Sequence, residues 1–108
     1  DEISLTGDTK VITNEGEQIL SAETLGKRTV NAADIYGGNT VEEAAKIFLT
    51  ILKGEGSWAQ NAVVLANAAM ALQCTGKYNS YQDCYNAAVE SLESRKALQS
   101  LQNLIKLQ

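Results

Sequence analysis

Two adjacent carboxylates, Asp1 and Glu2, are the residues of this chain whose types and spacing best fit metal chemistry. On a loop, two consecutive acids can both reach one hard cation, and Mg²⁺ prefers such oxygen ligands. Neighbouring side chains of a strand point apart, so a metal site requires an irregular segment here. The alternative is a pair of solvated surface acids, which the pattern alone favours.

A second candidate site, for an anion, is the segment Gly37-Gly38-Asn39 before a predicted helix. The free N–H groups of a helix N-terminus bind anions, but a plain turn followed by a helix cap is the interpretation we favour. Asn67 lies in an alanine-rich segment and must find hydrogen-bond partners if it is buried. We expect it to clamp a neighbouring loop rather than to contact a ligand.

Composition excludes several other chemistries. The chain has no His, so it offers no imidazole base or metal ligand. Cys74 and Cys84 lack the spacing of a zinc or thiol-protease site, and we expect reduced thiols of a cytoplasmic protein near a helix packing face. A net charge of −4 without a cluster of basic residues argues against nucleic-acid and anionic-membrane partners. No apolar stretch reaches the roughly 20 residues of a membrane-spanning helix.

Two regions position these residues. The length of 108 residues, 44% of them hydrophobic, suits one compact domain or part of a larger one. We predict strand and loop over residues 1–38 and helices over residues 39–108. Residues 9–13 and 18–21 predict a hairpin, which is marginal in water by itself. Residues 23–38 show no sustained periodicity.

Three helix starts are predicted where a Ser or Thr precedes an acid or amide by three residues, at Thr40, Ser57 and Ser80. The second helix, roughly 58–74, is apolar on most of its circumference, so we expect it to be buried on several sides. The third should break at 94–96. In the first helix, an amphipathic pattern predicts a buried stripe, which consists of Val41, Ala44, Ala45, Phe48, Leu49 and Leu52. The expected fold class is α/β, a β-hairpin plus three or four helices, as a fragment of a larger domain.

Several motifs, in order along nearly the whole chain, resemble one enzyme family. Residues 1–11 are similar to the Asp-Glu-(Ile/Leu)-Ser-x-x-Gly-x-Thr-x-Val segment of anthranilate phosphoribosyltransferase, and residues 33–39 to its Leu-x-Gly-Gly-Asp turn. Residues 63–72 resemble its Val-Leu-Leu-Asn-Ala-Ala-x-x-Leu helix, and residues 94–98 its Ser-Gly-Lys-Ala-Leu. The departures from the family pattern are Glu43 in place of Asn, Ala66 in place of Leu and Arg95 in place of Gly.

The resemblance implies that residues 1–108 are the C-terminal portion of one mixed-sheet α/β domain, like that of phosphoribosyltransferases and nucleoside phosphorylases. The family's N-terminal helical domain, through which a homodimer is expected, and its Gly-Thr-Gly-Gly-Asp pyrophosphate loop are absent from these residues. Such enzymes displace pyrophosphate from phosphoribosyl pyrophosphate with the amine of anthranilate, in tryptophan biosynthesis. The family's Asp-Glu pair holds Mg²⁺, which implies Asp1 and Glu2 as ligands in the intact enzyme. The isolated chain is expected to be inactive.

Two alternatives remain open from the sequence. One is a relative of the same fold without this activity, either a nucleic-acid-binding paralogue or a pyrimidine-nucleoside phosphorylase. The acidic balance disfavours the first of these, and the residues that follow Asp1 and Glu2 are less similar to the second. The other alternative is a free-standing helical interaction module, in which the apolar second helix would contact a partner.

Overall fold

The computed structural model describes all residues, 1–108, and begins with an irregular segment that leads into a hairpin. Strand β1, Thr9–Thr13, pairs antiparallel with β2, Gly16–Leu20, in a two-stranded sheet. Gly16, the first residue of β2 after the turn, has a φ of 132°, which explains the glycine at that position. The predicted hairpin is confirmed, and no third strand joins it.

Five α-helices follow the hairpin: α1 (Ala22–Gly26), α2 (Val41–Leu52), α3 (Trp58–Cys74), α4 (Tyr81–Glu93) and α5 (Lys96–Lys106). A single 3-10 turn, Ala32–Ile35, lies between α1 and α2. The α/β fold class is confirmed, and the helix number exceeds the expected three or four because α1 was not predicted. No helix combines the length and the apolar character needed to cross a membrane.

The helix starts lie where the hydroxyl residues predicted them. Thr40, Ser57 and Ser80 each accept a hydrogen bond from the backbone N–H three residues later, at 3.1 Å in every case. Such a bond satisfies one of the free donors of the first helical turn. At Ser57 the Gln60 side chain also accepts from the Ser57 N–H at 2.9 Å, which completes a capping box.

Helix α3 is the element against which the N-terminal part of the chain packs. One face of α3 supplies buried alanines at 62 and 66 to a cluster that also contains Ile3, Leu5 and Leu25. Small side chains let the irregular segments approach the helix backbone closely. On another side, Ala69 packs with Cys84 and Tyr85 of α4. The Tyr81 hydroxyl donates to the Leu25 carbonyl at 2.7 Å and so ties α4 to α1.

One prediction of burial is wrong, and another is confirmed only in part. Of the stripe predicted on α2, only Leu52 is buried, and Ile51 is buried although it was not predicted to be. The other stripe residues are exposed: Val41, Ala44, Ala45, Phe48 and Leu49. Helix α3 packs on several sides, as expected, through Ala62 and Ala66, Leu65, and Ala69, but it is not fully covered, and Val64 is 37% exposed. In both helices the apolar pattern is present, but these 108 residues pack only against part of it.

The predicted break after α4 is confirmed. Helix α4 ends at Glu93, and Arg95 adopts a left-handed conformation with a φ of 67° before α5 begins. The motif resemblance described above implies glycine at this position, and glycine adopts such a φ without strain.

Candidate functional site at the Asp1–Glu2 segment

The backbone of the segment that contains the two carboxylates is hydrogen-bonded to α3 through one amide side chain, that of Asn67. The Ile3 N–H donates to Asn67 Oδ1 at 2.9 Å, and Asn67 Nδ2 donates to the Ile3 carbonyl at 2.7 Å. Asn67 Nδ2 also donates to the Val63 carbonyl, one turn earlier on its own helix, at 2.8 Å. The prediction that Asn67 clamps a neighbouring loop is confirmed.

A second anchor lies two residues further along the segment. Leu5 is completely buried and has a φ of 62°, a conformation that costs roughly 1–2 kcal/mol for a residue with a β-carbon. Its carbonyl accepts a hydrogen bond from Val30 N–H at 2.8 Å. The Ser4 and Thr6 hydroxyls, on either side of Leu5 in the sequence, lie 2.7 Å apart and share a hydrogen bond. The segment is therefore irregular in conformation yet held at defined points.

Asp1 and Glu2 precede these anchors and are exposed to solvent. Neither residue belongs to a helix or strand, as the metal hypothesis requires. No group of three or more His, Cys, Asp or Glu side chains is placed to hold a metal ion. The two carboxylates thus offer a partial set of hard oxygen ligands, which suits Mg²⁺ because this ion commonly retains waters and substrate phosphates as its other ligands.

The carboxylates stand at the border of an open groove of about 610 Å³. The segment 1–4 forms one side, β1 forms another, and the last two turns of α3 form the floor. The residues of α3 that line the groove are Asn67, Met70, Ala71 and Cys74. Asp8 and Lys10 contribute charges of opposite sign. The groove has both polar groups and an apolar floor beside the proposed metal ligands.

The groove floor on α3 was not predicted, although a signal for it exists in the sequence. Positions 67, 70, 71 and 74 follow the spacing of one helix face. Once Asn67 is placed against the Asp1–Glu2 segment, this spacing puts Met70, Ala71 and Cys74 on the same side. The clamp and the groove floor therefore follow from one helical periodicity.

The two cysteines are free, as expected. Cys84 is completely buried against Ala69 and Tyr85, which agrees with a structural thiol in a packing face. Cys74 is exposed at the end of α3. The two thiols thus occupy different environments and form no shared site.

The segment 37–39 is a turn and a cap rather than an anion cradle. Gly38 has a φ of 89°, and the Asn39 N–H donates to Glu43 Oε2 at 2.6 Å. The Glu43 N–H is occupied by the Thr40 hydroxyl. A carboxylate of this chain thus already holds a backbone donor that an anion would use, and the favoured interpretation is supported.

Comparison with known proteins gives matches over almost the whole chain. A sequence profile described as "Glycosyl transferase family, a/b domain" matches residues 1–98. A protein of Flavobacterium psychrophilum named anthranilate phosphoribosyltransferase is 48% identical over 107 residues, which are 99% of this chain and 32% of that protein. Proteins of the same name from Christiangramia forsetii and Bacteroides fragilis are 50% and 40% identical over equal shares. This chain therefore spans about a third of the length of these relatives. No solved structure matches it significantly.

Proposed function

Since the chain belongs to the glycosyl transferase family defined by its a/b domain, we propose that it is part of an anthranilate phosphoribosyltransferase. The observation that carries this proposal is the identity of 48% over 99% of the chain to a protein of that name. The resemblance noted from the motifs is confirmed by these matches. The reaction would transfer phosphoribosyl from phosphoribosyl pyrophosphate to anthranilate, a step of tryptophan biosynthesis.

Asp1 and Glu2 are proposed to hold Mg²⁺ in the intact enzyme. Three features of the structure support this role: the exposed carboxylates, the irregular segment that carries them, and the groove that they border. When bound, the ion would neutralise charge on the leaving pyrophosphate as a Lewis acid. The contribution of this chain is to present two carboxylate oxygens from a segment fastened to α3.

Residues 1–108 are proposed to be the C-terminal portion of one α/β domain. Since the chain spans 32% of its relatives, we attribute the pyrophosphate loop, the anthranilate contacts and the dimer-forming helical domain to residues outside these 108. The two free thiols, Cys74 and Cys84, support a reducing compartment such as the cytoplasm. The 108 residues alone are then expected to show no turnover.

Activity can be tested with the complete gene product and with residues 1–108 in parallel. Anthranilate is fluorescent, so its consumption with phosphoribosyl pyrophosphate and Mg²⁺ can be followed directly. We expect loss of fluorescence with the complete protein and none with the 108 residues. Phosphate-dependent cleavage of a pyrimidine nucleoside, without consumption of anthranilate, would replace the proposal with a phosphorylase.

The metal ligands can be tested with a double substitution in the complete enzyme, Asp1→Asn with Glu2→Gln. We expect mainly a lower kcat at saturating Mg²⁺, because fewer carboxylate oxygens hold the ion against the leaving group. A matched control is Glu15→Gln with Glu55→Gln, which changes the net charge equally at two exposed sites. Equal kinetics of the double variant and the unsubstituted enzyme would remove the metal assignment.

A further inference from the structure

We propose that Asn67 is a positioning residue for the Asp1 and Glu2 carboxylates, an inference that rests on the proposed function. The Asn67 side chain makes no hydrogen bond to either carboxylate. Its hydrogen bonds go to the backbone of Ile3 and Val63. Its effect on a metal ion would therefore be transmitted through the main chain.

The amide of Asn67 is held in a single orientation. Its Oδ1 accepts from Ile3 N–H, and its Nδ2 donates to two carbonyls, those of Ile3 and Val63. An amide has two N–H donors, and both are used. Exchanging the oxygen and nitrogen would place NH₂ against the Ile3 N–H, so the hydrogen bonds define the orientation. The side chain is thus a rigid bracket between α3 and Ile3.

The bracket acts on the peptide bond that joins Glu2 to Ile3. The Ile3 N–H belongs to the same planar peptide group as the Glu2 carbonyl. Fixing that N–H therefore fixes the plane from which the Glu2 α-carbon projects. Adjacent α-carbons are about 3.8 Å apart, so the Glu2 side chain starts one peptide from the bracket, and Asp1 starts one peptide further.

Docking of the segment does not depend on Asn67 alone. The Ile3 side chain is 5% exposed and Leu5 is completely buried, and the Leu5 carbonyl is held by Val30 N–H at 2.8 Å. Removing the amide would leave these apolar anchors in place but release the rotation of the Glu2–Ile3 peptide. The expected defect is misplaced carboxylates on a folded protein.

Asn61 provides a matched control on the same helix. It is also a partly buried asparagine of α3, and its Nδ2 lies 3.5 Å from the Gly56 carbonyl. The Asn61 side chain makes no hydrogen bond to the segment that carries Asp1 and Glu2. Its Oδ1 is buried without a hydrogen-bond partner, so Asn61→Ala removes an asparagine side chain of the same helix that is held less firmly than Asn67, and it leaves the bracket intact.

The experiment measures Mn²⁺ binding to the complete gene product by electron paramagnetic resonance, with thermal unfolding of every variant alongside. For Asn67→Ala we expect Mn²⁺ affinity to fall 10- to 100-fold, the usual effect of losing a residue that orients a ligand. Asn61→Ala should bind Mn²⁺ as the unsubstituted protein does. If Asn67→Ala does not fold, Asn67→Gln keeps the amide but misplaces it by one methylene, and we expect the same loss.

Kinetics provide a second readout. Raising the Mg²⁺ concentration should restore kcat in Asn67→Ala, because the ligands are present but poorly placed. Raising the Mg²⁺ concentration should not restore kcat in the variant Asp1→Asn with Glu2→Gln, because its carboxylate ligands are absent. Equal Mn²⁺ affinity and equal Mg²⁺ dependence in the Asn67 and Asn61 variants would overturn the inference.

The variant Asp1→Asn with Glu2→Gln distinguishes a failure of the positioning role from a failure of the metal assignment. If it binds Mn²⁺ more weakly while Asn67→Ala binds normally, the positioning role falls and the metal assignment stands. If the double variant binds Mn²⁺ as well as the unsubstituted protein, the metal assignment falls and the positioning role falls with it.

Discussion

The Leu5 side chain occupies the space that a β-carbon on Gly26 would need. A β-carbon built at Gly26 would lie 3.0 Å from Leu5 Cδ2 and nearer still to Cδ1. Leu5 is completely buried and Leu25, the neighbour of Gly26, is 2% exposed. The end of α1 and the segment that follows the two carboxylates can therefore pack this closely only because Gly26 has no β-carbon.

Gly26→Ala should lower the free energy of unfolding by about 1–3 kcal/mol, the usual cost of overpacking a core. Leu5 would have to move within a close-packed cluster that leaves it little space. Gly37→Ala is the control, because a β-carbon there meets nothing within 4 Å. Urea unfolding of both variants checks the expectation, and equal midpoints would contradict it.

Ser57→Ala should lower the free energy of unfolding by about 1 kcal/mol. The substitution removes the hydroxyl that accepts from Gln60 N–H at 3.1 Å and leaves that donor free. Ser100→Ala, at an exposed position within α5, should change stability by less than about 0.5 kcal/mol. Thermal unfolding compares the two, and an equal effect would remove the capping contribution.

Arg95→Gly should be more stable than Arg95→Ala by about 1 kcal/mol. Both substitutions remove the same side chain, but only glycine adopts the observed φ of 67° without strain. Their difference in unfolding free energy therefore isolates the backbone conformation between α4 and α5. A more stable alanine variant would show that this conformation is not strained.

Alkaline pH should destabilise the fold through Tyr81. Burial, followed by the neighbouring Tyr85 and Cys84, raises the pKa of Tyr81 to about 12 from 10.0. Between these values the unfolded state loses the phenolic proton while the folded state keeps it, so stability is full below pH 10 and falls as pH rises towards 12. Tyr81→Phe should flatten this part of the pH profile, measured by unfolding at a series of pH values. An unchanged slope would contradict the assignment to Tyr81.

The sequence predicts best those features that depend on neighbouring residues. Thr40, Ser57 and Ser80 mark their helices because a cap needs only one hydroxyl and the first turn. Helix α1 escapes prediction because five residues are too few to show a helical period; its cap, Ser21, accepts from Thr24 N–H, without an acid or amide at that position. A cap can be recognised from four residues, whereas a helical period needs more residues than α1 has, so the three capped helices were predicted and α1 was not.

Burial is predicted less well because it depends on what else is present to pack. The stripe on α2 has the correct periodicity, yet Val41 is 81% exposed. Of the candidate site, the irregular segment and the role of Asn67 follow from residue types. The groove needs the positions of β1 and α3 relative to each other, which no local pattern specifies.

The bracket between Asn67 and Ile3 also determines when the proposed site can form during synthesis. The two residues are 64 positions apart, and translation proceeds at about 5–20 residues per second. Asp1 and Glu2 would thus leave the ribosome roughly 3–13 s before Asn67 does. Until then the segment lacks the Asn67 hydrogen bonds and the α3 alanines against which Ile3 and Leu5 pack. The order of residues along the gene thus brings these carboxylates out of the ribosome before the residue that positions them.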